Sequence, residues 1–176
     1  LGLAGMPAKR DQFIRPLIET TRQEILDYLW ENSLAFRVDR SNLSHQFLRN
    51  RIRSDLIPML KTFNPAIVSV IGKTAELLRA DEKILEQESG KAFSKLAQLK
   101  PGQVNFGLPE FLKERSAIRR RLVRLAIQHL KKDLRRIEAE HIFELEELLN
   151  SGKANFEIDL PAGVKIFKSY DQLRIE

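Results

Sequence analysis

Apolar residues recur at helical spacing through most of this chain and give way to strict alternation near its end. Ile25, Leu26, Leu29 and Trp30 form one stripe at one- and three- to four-residue steps, which predicts a helix. Thr21, with Glu24 three residues on, spells a capping box at its start, and Asn32-Ser33 ends it. Residues 12–19 are predicted extended, because Pro16 disfavours helix for its predecessor. Residues 35–42 read as a short strand or loop. A helix is predicted from about Ser44, with Leu48, Ile52, Leu56, Met59, Leu60 and Phe63 on one arc at about 100° per residue. Pro58 lacks an N–H, so the Ser54 carbonyl loses its helical partner and a kink is expected. Asn64 as N-cap and Pro65 at the first helical position open a further helix, expected to run to about Leu99. It carries a heptad-like seam of Ile67, Ile71, Ala75, Leu78, Leu85, Ala92 and Leu96, and Pro101-Gly102 stops it.

The second half has shorter elements. Residues 103–106 suggest a strand and 107–116 a short helix. Ser116 is expected to cap a helix through about Lys131, and residues 136–152 form another ending at Gly152. Alternation then predicts strands in 155–160, 164–170 and 172–176, with Pro161-Ala162-Gly163 as a tight turn. The expected fold is therefore mainly α with a small antiparallel sheet (α+β), with a boundary near residue 100. No internal repeat or low-complexity segment interrupts it.

Composition narrows the chemistry more than the fold. At 176 residues, 43% hydrophobic, the chain suffices for one ordinary domain or two small ones. Thirty Lys and Arg against 24 Asp and Glu give a formal +6, which suits nucleic acid or an anionic surface. No apolar run is long enough to span a membrane. The absence of Cys removes disulfides, thiolate chemistry and Cys-ligated zinc, and fits a cytoplasmic setting. His45, His129 and His141 do not stand at metal-ligand spacing, so no metal site is expected. The chain begins at Leu1, and its first ten residues read as a loop joining something earlier, so it is expected to start within a longer protein.

Two basic clusters are the candidate chemistry. In the first, Arg49 borders the apolar arc, Arg53 lies just beyond it and Arg51 points to the other side. Either their stems snorkel over a core with their heads paired to acids, or their guanidinium groups hold phosphate. The second spans residues 111–136, with ten Lys or Arg against two acids. There Arg120, Arg121, Arg124, Gln128 and Lys131 cover the arc opposite Ile118, Leu122, Val123, Leu125, Ala126, Ile127 and Leu130. This is either a solvated face or a phosphate-contacting stripe. Arg119 falls on the apolar side and should meet an acid such as Glu140, Glu144 or Glu147. His129, also on the apolar arc, reads as a core residue. "IGKT" at residues 71–74 lacks the earlier glycine of a phosphate loop and lies mid-helix, so it is set aside.

The strings "IRPL", "TRQEILDYL", "VDRSN", "RNRIRSDLIPML" and "NP", in that order, resemble the tRNA(Ile)-lysidine synthase family from Gly5 to about Glu88. "LPAGVKIFKSYDQLRI" is similar to the strands closing that family's first domain after the catalytic one. The resemblance implies an ATP-dependent ligase that adenylates the wobble cytidine of an isoleucine tRNA with a CAU anticodon. Lysine then displaces AMP. The family's SGGxDS signature is not spelled in these residues, so the chain is expected to lack the ATP-pyrophosphatase loop and to be inactive alone.

By the resemblance, residues 1–62 are the C-terminal part of the catalytic domain, 63–100 a long helical linker and 101–176 the first tRNA-binding domain. It puts Arg49 and Arg53 at the active-site edge and makes Asp39, Asn42 and Asn50 local scaffolding. Arg51, Arg120, Arg121, Arg124 and Lys131 are the expected RNA contacts. ATP and Mg²⁺ belong to the full-length enzyme, with none expected on this chain. The implied partners are tRNA(Ile), lysine and ATP, without a membrane and with a homodimer left open. Two other readings stand beside this one. One is a non-catalytic helical module binding nucleic acid or protein; the other is a tRNA-thiolating relative, which the lack of Cys disfavours.

Overall fold

The computed structural model describes residues 5–10, 12–37, 44–132 and 134–176. The expected mainly α fold with a small antiparallel sheet is what it shows. The chain divides into two compact units, Leu1–Ala80 and Asp81–Glu176.

The first unit opens with two-residue strands, β1 (Lys9–Arg10) and β2 (Phe13–Ile14), paired antiparallel. Helix α1 (Arg22–Glu31) starts at the expected capping box. The Glu24 N–H donates to the Thr21 hydroxyl at 3.2 Å, and the Thr21 N–H donates to the Glu24 carboxylate at 2.6 Å. The Thr21 hydroxyl, which donates to the same carboxylate at 2.6 Å, and the Thr21 N–H together hold the Glu24 carboxyl below its usual range. The α1 stripe is not buried: Trp30 is 74% exposed and meets Phe36 edge-on.

The Arg-rich helix departs from expectation twice. It begins at Leu48 rather than near Ser44, as α2 (Leu48–Arg51), because the Asn50 amide donates to the Ser44 carbonyl at 2.8 Å and holds the preceding residues in a turn. In place of a kink at Pro58, the backbone widens into a π-turn over Ile52–Leu56. There the Ile57 N–H donates to the Ile52 carbonyl, five residues back. Pro58 then falls in the first turn of α3 (Ile57–Phe63), where a missing N–H costs little. Asn64 accepts the Ala66 N–H at 2.9 Å ahead of α4 (Ile67–Leu96). Of the expected seam, Ile71 is exposed, whereas Leu85, Ala92 and Leu96 pack on the core of the second unit.

That core is a five-stranded antiparallel sheet covered by helices. Helix α4 stops at Leu96, short of the expected Leu99. Ala97–Lys100 is strand β3, turned by Pro101-Gly102 onto β4 (Gln103–Gly107), with Gly102 at φ +72°. Helices α5 (Leu108–Lys113), α6 (Ser116–Lys131) and α7 (Ala139–Asn150) follow, then β5 (Asn155–Leu160), β6 (Val164–Ser169) and β7 (Gln172–Ile175). The strand order is β3-β4-β7-β6-β5. Ser116 is the first residue of α6 and not its cap; Arg115 holds that position without a side-chain bond. Helix α7 begins later than expected, after Glu138 and His141 close a cap on each other.

The period of two sends one row of side chains, Val104, Ile175, Ile166 and Ile158, from strand to strand toward the helices. Leu122, Val123, Ala126 and Ile127 of α6 and Ile142, Leu145 and Leu149 of α7 cover it. A second row runs Phe106, Leu173, Lys168 and Phe156. Lys168 is buried there, its ammonium donating to the Lys153 carbonyl and lying over the Phe156 ring.

Candidate nucleic-acid interface

In the first unit the widened helix positions three arginines. Arg49, Arg51 and Arg53 are all exposed, and the Arg49 guanidinium lies 5.3 Å above the Phe47 ring. The apolar arc beside them is also open: Leu48 is 68% exposed and Phe63 78%. Phe13, Ile14, Leu17 and Ile18 are exposed as well. Asn50 is the one buried residue of this unit among those described. Its carbonyl accepts the Ser54 hydroxyl at 2.9 Å, and Ser54 also bonds Asp55, which faces His45 at 3.5 Å. Asp39 and Asn42, the expected Asx-type turn, lie outside the described residues.

In the second unit the expected solvent-facing stripe on α6 is corrected by its partners. Glu146 of α7 accepts from Arg120 Nε at 2.6 Å and from Arg119 Nη2 at 3.1 Å, with the Glu146 side chain only 14% exposed. Arg120 also stacks 4.8 Å from the Phe143 ring. The acid that meets Arg119 is therefore Glu146, not Glu140, Glu144 or Glu147. It shares the face of α7 that carries Ile142, Leu145 and Leu149. Arg121 makes a two-armed ion pair with Glu82 of α4. Arg124 donates to the Ile137 carbonyl at 3.4 Å. His129, expected in the core, is exposed.

These contacts have electrostatic signatures. The Arg121 bonds outweigh burial and hold the Glu82 carboxyl below its usual range. At Glu146 burial opposes ionisation, but the bonds from Arg120 and Arg119 overcome it and also lower the carboxyl. Both acids are thus ionised struts that tie α6 to its neighbours.

A groove of about 480 Å³ lies at the far end of α6. Lys131 lines it with Arg135, Arg136, Ile127, Ile137, Ala162 and Val164. Periodicity had marked Lys131 but not the two arginines, since they stand in a turn outside any helical face. Among the described residues no three His, Asp or Glu side chains converge on one point. No helix among them is long and apolar enough to cross a membrane.

Comparison with known proteins gives two matches in chain order. Residues 1–60 match the PP-loop domain model, and residues 107–174 match the TilS substrate binding domain model. The first match corrects the expectation that the PP-loop part is missing. The chain is 36% identical to the tRNA(Ile)-lysidine synthase of Geobacter sulfurreducens, over 98% of this chain and 37% of that protein. It is 34% identical to that of Clostridium tetani, over 99% and 37%. It is 31% identical to the bifunctional protein TilS/HprT of Listeria monocytogenes, over 100% and 28%. The chain thus spans between 28% and 37% of the length of these curated relatives. Along its whole length, and in the order of the two domain models it matches, the chain is similar to tRNA(Ile)-lysidine synthases.

Proposed function

We propose that this chain is part of an ATP-dependent, cytoplasmic tRNA(Ile)-lysidine synthase that joins lysine to the wobble cytidine of an isoleucine tRNA with a CAU anticodon. The observation that carries this is the ordered pair of domain matches, PP-loop over residues 1–60 and substrate binding over 107–174. In this reading residues 1–62 belong to the ATP-using domain, 63–100 link, and 101–176 contact tRNA. Arg49 and Arg53 lie at the active-site edge, where an always-charged guanidinium can face phosphate or leaving AMP. Their exposure, and that of the apolar arc beside them, supports a role turned outward from this unit. Arg51 and Lys131, both exposed, contact RNA backbone, and Arg120, Arg121 and Arg124 serve first as struts. ATP with Mg²⁺ belongs to the full-length enzyme.

The test is lysine incorporation into tRNA(Ile) by the full-length protein. Wild type should incorporate lysine in the presence of ATP. Arg49→Ala and Arg53→Ala should each lower the rate at least about a hundredfold, on the scale of losing a transition-state charge contact. Wild-type rates in both variants would reduce this cluster to a structural role. Absence of incorporation by wild type would refute the lysidine reading itself.

A further inference from the structure

We propose that the groove at the end of α6 binds the phosphodiester backbone of RNA, with Lys131 and Arg136 as its cationic contacts. This deepens, and rests on, the reading that residues 101–176 contact tRNA.

Three segments build the groove: the end of α6, the turn at residues 134–137, and the turn at Ala162 and Gly163. The middle turn is held at both ends. Leu134 packs on the core, Ile137 is buried, the Ile137 N–H donates to the Leu134 carbonyl at 3.0 Å, and Arg124 grips the Ile137 carbonyl. Arg135 and Arg136 between these anchors are left exposed. The opposite wall uses left-handed backbone at Ala162 (φ +64°) and Gly163 (φ +68°), which turns the chain sharply and leaves only a methyl group there. Ile127, Ile137 and Val164 make a rigid apolar floor, all nearly inaccessible.

Charge decides the ligand. No carboxylate is among the described residues lining this groove, whereas Glu146 and Glu82 occupy Arg119, Arg120 and Arg121 on the same helix. Lys131 and Arg136 have no acidic partner among the described residues. The carbonyl end of α6 contributes about half a negative charge, which these two cations outweigh several-fold. About 480 Å³ exceeds what a lone phosphate fills and accommodates a nucleotide unit of a chain, with its phosphates on the cations.

The test is tRNA binding by the 176-residue chain across a salt titration, with lysine acetylation footprinting read by mass spectrometry. Lys131→Gln with Arg136→Gln should weaken binding about tenfold near 0.1 M salt and flatten the log–log salt slope by about two. Lys95→Gln with Lys100→Gln, an equal charge change on exposed residues elsewhere, should weaken it less than about threefold. Bound tRNA should protect Lys131 from acetylation. Unchanged melting temperatures establish that all variants are folded. If the groove pair matches the control pair, the groove is not the site, although tRNA contact by the domain stands. If tRNA leaves Lys131 reactive while inorganic triphosphate protects it, the occupant is a small phosphate compound and the proposal fails. If wild type binds neither, the proposal and tRNA contact by this chain both fail; lysine incorporation by the full-length protein tests the enzymatic reading separately.

Discussion

Arg121 on α6 and Glu82 on α4 close a two-armed ion pair, with one arm at 2.9 Å, between residues 39 positions apart. Both side chains are about one-quarter exposed, so the pair is neither fully screened nor fully desolvated. Arg121→Ala should therefore cost about 1–2 kcal/mol, between surface and buried ion pairs. A double-mutant cycle with Glu82→Ala in urea should give a coupling near 1 kcal/mol. A coupling near zero would leave Arg121 available to phosphate.

Glu146 serves two arginines, so its loss should cost more than the loss of either one. Glu146→Ala leaves Arg119, with a side chain only 16% exposed, without its acid. About 2–3 kcal/mol of destabilisation is expected in thermal or urea unfolding. Arg119→Met should cost under about 1 kcal/mol, because Arg120 keeps Glu146 paired while the methionine fills apolar space. The reverse ranking would show that Glu146 is incidental.

Acid should loosen the second unit through the same two carboxylates. Both have folded values below the ordinary 4.5, so the unfolded chain takes up protons more readily. Their contribution is complete above about pH 5 and drains away as pH falls through the depressed folded values. Urea midpoints measured from about pH 6 to about pH 3 should fall. Glu82→Gln should start lower and fall less steeply. A slope unchanged in that variant would mean other acids carry the effect.

Asn50 is the single buried side chain described in the first unit, and its amide fixes the turn ahead of α2. Asn50→Ala should remove about 1–2 kcal/mol of local stability. Hydrogen exchange would report this as faster exchange across residues 48–56, with the amides of β4 and β7 unaffected. Equal acceleration in both units would point to global destabilisation instead.

Local rules made much of the fold legible. Thr21 and Glu24 announce a helix start by themselves, and alternation in the last strands exposes their buried face. Strand β3 escaped notice because Ala97–Lys100 continues an apolar helical run; only pairing with β4 across Pro101-Gly102 makes it a strand. The arginine stripe was read as free because sequence cannot show that α4 brings Glu82 alongside α6. Glu146 was within reach of sequence, since it stands at helical spacing from the apolar Ile142 and Leu149, whereas Glu140, Glu144 and Glu147 do not share that face. The groove required three separated turns to meet, and no single window of sequence contains it.

The π-turn at Ile52–Leu56 holds roughly one residue more than an α-helix of equal rise, and this gives the helix a spare link. Shortening the chain by one residue there should convert the wide turn to ordinary helix without breaking it. The cost would be rotational: Arg49 and everything before it would swing by about 100° relative to Met59 and Phe63. A deletion of this kind acts as a dial on the aim of the arginines, leaving their number and chemistry intact. The same deletion within α6 has no spare link to absorb it, and would turn Arg119 to Arg121 away from both of their acids.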